Sequence, residues 1–154
     1  MSEFDSRQLT SLESSPKVKG APYDHGKISV AVATTPAAAA WAQNDTWNTG
    51  IIIPKGSRIL RSGRLSHGAF GASVTMHVGV RAASDGTVVD VDGIAASLDV
   101  AAAGVKELDG GSAFVAGAAY VATQDLEVYC TLNAANPTDN AQAEVEIHWL
   151  GPVV

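Results

Sequence analysis

Cys130 is the only cysteine in 154 residues, which excludes an internal disulfide and any multi-cysteine zinc site and leaves packing to hold the chain together. Charge is scarce as well. Asp, Glu, Lys and Arg make up 17% of the chain, so small neutral side chains must cover much of the surface. Ten Lys and Arg against sixteen Asp and Glu give a formal charge of −6. Without clustered cations to neutralise phosphates, free nucleic acid is not an expected partner. No run nears the roughly 18 apolar residues that cross a bilayer as a helix, and the opening Met1-Ser2-Glu3-Phe4-Asp5 lacks the basic-then-apolar order of a secretory signal. No membrane partner is expected, and synthesis in a cytoplasm is.

What the chain does have is apolar content, at 46%, enough for the core of one ordinary domain and too little for two. Residues 1–26 read differently from the rest. They are polar, and Leu9, Leu12, Val18 and Tyr23 stand in them as isolated apolar points without sustained periodicity. Ordering each residue costs about 1–2 kcal/mol of backbone entropy, and few apolar side chains are present to offset it. The segment is therefore expected to be an extended amino-terminal arm that becomes fixed against a partner, ahead of a domain over 27–154.

From Lys27 onward the pattern is one of short strands. Ile28, Val30 and Val32 alternate with Ser29, Ala31 and Ala33, as in a half-buried strand. Thr35-Pro36 before Ala37–Ala40 has the form of a short helix start. Gly50–Ile53, a turn at Pro54-Lys55-Gly56 and a run over Ser57–Leu65 follow, with Gly63 marking a bulge. Ser73–Val80 alternates most clearly. Asp85-Gly86 then signals a turn into a returning strand over Thr87–Val91. Between Asp92 and Ala103 the pattern fits a short helix or an irregular crossing equally. Leu126, Val128, Cys130 and Leu132 share one strand face, and Val145, Ile147 and Trp149 share another. About eight short strands without regular helices between them predict an all-β fold: an antiparallel β-sandwich, jelly-roll-like.

Chemistry is thinly represented. His25, His67, His77 and His148 belong to no motif, and His77 and His148 fall on the polar sides of their strands, where exposed histidines are expected. Asp90-Val91-Asp92-Gly93 opens like a calcium loop but lacks the glutamate that closes one. No Gly-x-Ser-x-Gly, phosphate loop or dinucleotide glycine pattern is present. No enzyme activity, metal or cofactor is therefore expected, and Cys130 reads as an inert core thiol.

Two features suggest contacts instead. Lys55, Arg58, Arg61 and Arg64 place four cations within ten residues, whereas beyond Arg81 only Lys106 stands against eleven acids; an acidic protein surface would suit the first group. Trp41 and Trp47 flank Gln43, Asn44, Asp45 and Thr46. They either close one end of the core or offer stacking faces to a sugar.

Taken together, the arm ending in Lys17-Val18-Lys19-Gly20, the strand from Lys27 to Thr34, Asn44-Asp45-Thr46, the stretch Ile53-Pro54-Lys55-Gly56-Ser57-Arg58-Ile59-Leu60, and the alternating segments Ala72–Val80 and Ala143–Leu150 resemble auxiliary capsid proteins of tailed bacteriophages, the cement or decoration proteins. The resemblance implies a jelly-roll-like domain made in the host bacterial cytoplasm and carried on the outer surface of the virion. It would associate with itself as a dimer or trimer and clamp neighbouring major capsid subunits through the arm. A receptor- or carbohydrate-binding virion module is the alternative that the tryptophan pair raises.

Overall fold

A strand buries one face when every second residue is apolar, and the described residues of the computed structural model, 28–36, 40–115 and 119–151, form ten strands and one short helix. In chain order these are β1 (Ile28–Thr34), β2 (Thr46–Ile53), β3 (Arg58–Ile59), β4 (Arg64–His67), β5 (Thr75–Ala82), β6 (Val88–Asp99), β7 (Gly104–Glu107), α1 (Ser112–Val115), β8 (Tyr120–Val121), β9 (Leu126–Asn133) and β10 (Ala143–Leu150). The pairing is nested. β1 pairs β10, β2 pairs β9, β3 pairs β8, β4 pairs β7 and β5 pairs β6, all antiparallel. The chain is one long hairpin whose tip is the Asp85-Gly86 turn, rolled up on itself so that β10 also meets β3 and β4 while β9 also meets β5.

Rolling produces two facing sheets. One runs β1-β10-β4-β7, with β3 and β8 continuing beside the end of β10; the other runs β2-β9-β5-β6. This order is that of a jelly roll, as the strand rhythm predicts. The core lies between the sheets. Met76, Val78 and Val80 of β5 meet Leu126, Val128, Cys130 and Leu132 of β9 and Val145 and Ile147 of β10, each at most 1% exposed. Each fully buried aliphatic side chain contributes about 1.5–3 kcal/mol relative to exposure.

Several local readings change in the fold. Ser57–Leu65 is not one run but two short strands, β3 and β4, that both lie against β10. The break falls at Gly63, where an added Cβ would stand 2.7 Å from the Glu146 carbonyl oxygen, so the backbones touch at the position where a bulge is expected. The ambiguous stretch from Asp92 to Ala103 is, as far as Asp99, the second half of a twelve-residue strand, β6, and then a bend into β7. Three register shifts against β5 break the period of two in β6, which is why alternation is not readable there. Thr35 lies beside Ala143, whose N–H donates to its hydroxyl at 3.0 Å; residues 37–39 of the expected helix lie outside the described residues.

The face of β1 is the least intuitive result. Hydrophobicity alone would turn Ile28, Val30 and Val32 inward, yet they are 59%, 54% and 52% exposed while Ala31 and Ala33 pack on the core. Register explains the choice. Ala31 stands opposite Ile147 and Ala33 opposite Val145, and directly opposed residues share a face, so the small side chains follow the buried face of β10 and the large ones are carried outside.

Candidate interaction surface

Because cross-strand partners share a face, register alone maps the outer surface of the β10 sheet into rows. One row reads Val32, Glu146, Arg64, Glu107, and its neighbour reads Thr34, Glu144, Ser66, Val105. At the other end Ile28, Leu150, Arg58 and Val121 stand in line. Exposed aliphatic side chains thus stand on both margins, beside Glu107 on β7, and charged side chains occupy the middle. Ile28, Val30 and Val32 form one margin; Val105 at 61% and Val121 at 43% exposure stand on the other.

A hydrogen-bonded chain crosses the middle. The Ser62 hydroxyl lies 2.7 Å from His148 Nδ1, and His148 Nε2 lies 2.6 Å from Glu146 Oε1. A serine donating to Nδ1 and a ring Nε2–H donating to the carboxylate satisfies all three groups in the neutral tautomer. Serine, imidazole and carboxylate are the parts of a hydrolytic triad, but here they tie the turn before Gly63 to β10. Glu146 is 38% exposed, and the adjacent cleft of about 350 Å³ is lined by Arg58, Ile59, Leu60, Arg61, Phe114, Ala119 and Tyr120, without Ser62 or His148. Sequence alternation puts His77 and His148 among exposed residues; both are half-buried and bonded, His77 with Nδ1 accepting from the Ser97 N–H at 3.2 Å and Nε2 lying 2.8 Å from the Asn133 side-chain amide.

The four cations of 55–64 do not form one patch. Lys55 is exposed at its turn, with its backbone N–H donating to Asp125. Arg61 is exposed but tied to α1: Nη2 donates to the Phe114 carbonyl at 2.6 Å and the guanidinium lies 5.6 Å from the Phe114 ring centre. Arg58, half-buried, and Arg64, exposed, are left on the outer face of the sheet. Leu9, Leu12, Val18 and Tyr23 lie outside the described residues.

The remaining candidates are absorbed by the fold. Trp47 is 7% exposed and belongs to the core, and Trp41 meets Phe70 edge-on at 5.9 Å; their rings pack inward beside a cleft of about 380 Å³. Asp90 accepts from the Ser112 hydroxyl at 2.9 Å and so holds α1 against β6. Cys130 is fully buried, and burial pushes its thiol pKa up, which keeps it protonated and unreactive. Burial, and then the Asp90 charge, push Tyr120 up to about 12. Among the described residues no three His, Cys, Asp or Glu converge as a metal site, and no helix is long and apolar enough to cross a membrane.

A double-sheet jelly roll is the class that the fold defines. The same fold occurs in a chain of the capsid of Ralstonia phage GP4, with a TM-score of 0.66 and 16% identity over 84% of this chain and 87% of that one. It occurs again in a chain of the cyanophage Pam1 capsid asymmetric unit, with a TM-score of 0.59 and 16% identity over 82% and 86%. At such identity the likeness is one of fold. No family model matches the sequence, and no curated protein matches it.

Proposed function

We propose that this chain is a non-enzymatic structural protein of a bacteriophage virion, one that binds the outside of the capsid and stabilises it by clamping neighbouring major capsid subunits. The observation that carries this reading is the match of nearly the whole described fold to a chain of a phage capsid, at a TM-score of 0.66. The outer face of the β10 sheet supports it, since exposed Ile28, Val30, Val32, Val105 and Val121 offer apolar anchors to desolvate and the charged side chains beside them can set register. Arg58 and Arg64 on that face would meet an acidic capsid surface. Residues 1–26, with Leu9, Leu12, Val18 and Tyr23, would act as the clamp, ordering along a neighbouring subunit. Each contact can be weak because many copies share one shell.

The tryptophan pair does not favour a sugar-binding module, because both rings are used in packing. Deletion of 1–26 tests the clamp. The shortened chain should keep its far-UV spectrum and cooperative unfolding but fail to bind purified heads that lack the protein. Full occupancy by the shortened chain, measured by cryo-microscopy or by co-sedimentation, rules the clamp out.

A further inference from the structure

Edge strands in soluble proteins are normally protected by charge, proline, bulges or shortness, because their unpaired N–H and C=O groups template another strand. β1 carries none of these protections. Its seven residues Ile28–Thr34 include no charge and no proline, and they pair with β10 in one unbroken register over all seven positions. Among the described residues the ladder partner of β1 is β10 alone, so every second residue directs its backbone polar groups away from the sheet. The outward side chains are Ile28, Val30 and Val32, each more than half exposed.

The geometry points to β1 as a self-pairing edge: a second copy of this chain adds its own β1 antiparallel across a two-fold axis at Ala31, joining the two β10 sheets into one. Three observations select this occupant and this register. Opposed residues must share a face, and the two-fold pairing centred on Ala31 is the one that both obeys this rule and engages all seven residues. It places Val30 opposite Val32 of the partner subunit, and Val32 opposite Val30 of the partner subunit, so the exposed valines of each copy cover those of the other. The charges are compatible as well. In the row through the valines the ionisable side chains flanking the seam are Glu146, beside Val32, and His148 of the partner subunit; Glu144, beside Thr34, faces the uncharged row of Ile28 and Leu150 of the partner subunit. Glu146 and His148 of the partner subunit stand three strand spacings apart, about 14 Å at about 4.8 Å per strand, beyond the screening length of about 8 Å at physiological ionic strength. A two-fold interface uses one patch twice, and a strand whose outward face is uniformly apolar is complementary to itself.

This inference supplies the surface for the self-association suggested above and stands on the strand geometry, so it is tested on free protein with no capsid present. Sedimentation velocity of the full chain over a range of concentrations should show a monomer–dimer equilibrium. V30K/V32K sets like charges opposite one another twice across the seam and should weaken dimerisation about tenfold or more while leaving the far-UV spectrum unchanged and, at concentrations where both proteins are monomeric, the thermal transition too, since both positions face solvent. V30K/V32E is the discriminating variant. In the Ala31-centred register each introduced lysine faces an introduced glutamate, and dimerisation should return towards the wild-type level. A chain that stays monomeric at all concentrations overturns the proposal. So does a V30K/V32K variant that dimerises like wild type, or a V30K/V32E variant as impaired as V30K/V32K, which would show that the edge receives some other segment, such as residues 1–26.

Discussion

Two edge strands of this jelly roll, β1 in one sheet and β6 in the other, carry similar valine-rich sequences and are built in opposite ways. β6 exposes Val88, Val89 and Val91, yet it slips register three times against β5 and carries Asp90, Asp92 and Asp99 along its length. Bulges and charge are devices that stop an edge from accepting another strand. β1 is regular, uncharged and flat in register. Exposed apolar content alone therefore does not identify a contact surface; the backbone beneath it decides.

The strongest way to break the contrast is to disturb what makes β6 irregular. Gly79 of β5 sits under the curl of β6, where an added Cβ would stand 2.4 Å from the carbonyl oxygens of both Asp90 and Val91. Gly79→Ala should destabilise the fold by about 3 kcal/mol, visible as a lower urea midpoint; an unchanged midpoint would mean that the curl is not structural. Next comes the ion pair behind β6. Arg81 binds Glu127 through Nη2 at 2.7 Å and Nε at 2.9 Å and lies 5.8 Å from the Tyr129 ring centre. Arg81→Met should cost about 1–2 kcal/mol, and chemical denaturation at low and high salt would expose a purely superficial pair by showing no loss.

A smaller effect is expected at high pH. Tyr120, held up to about 12 by burial and by Asp90 of β6, stays neutral in the fold while an unfolded tyrosine ionises near pH 10. Its contribution is complete below about pH 10 and is lost as pH rises through 12. Stability should fall over that window, and Tyr120→Phe should make the fall shallower; an identical alkaline profile in the variant would assign the loss to other groups. The smallest change sharpens the comparison most. Val88→Lys/Val91→Lys on β6 should shift folding stability by no more than about 0.5 kcal/mol and leave sedimentation unaltered, whereas lysines at 30 and 32 should weaken association about tenfold or more. Equal loss of association from both pairs would remove the distinction between the edges.

Much of the scaffold was legible from spacing. β5, β9 and β10 follow directly from alternation over Thr75–Ala82, Leu126–Asn133 and Ala143–Leu150, and the Asp85-Gly86 turn marks the tip of the rolled hairpin. Burial of Cys130 follows from the company of Val128 and Leu132. The start of β6 was legible as the strand returning from the Asp85-Gly86 turn, but its second half was not, because its register shifts destroy the period on which such reading depends. The outer surface was less legible still. Ser62 and His148 lie 86 positions apart in sequence and meet only because β3 and β4 break at Gly63 against β10. Arg61 reads as one of four equivalent cations until the position of the Phe114 carbonyl is known.

By itself, then, the sequence settled that the chain makes an antiparallel β-sandwich with little charge and a single shielded thiol, since period-two alternation and composition are local properties that need no partner to be read. Tertiary structure alone decided which face of β1 looks outward, which arginine is tied to α1 and which strands stand at the sheet edges. Those outcomes depend on which residue of a distant strand stands opposite, and Ala31 and Ala33 turn inward because Ile147 and Val145 lie across from them.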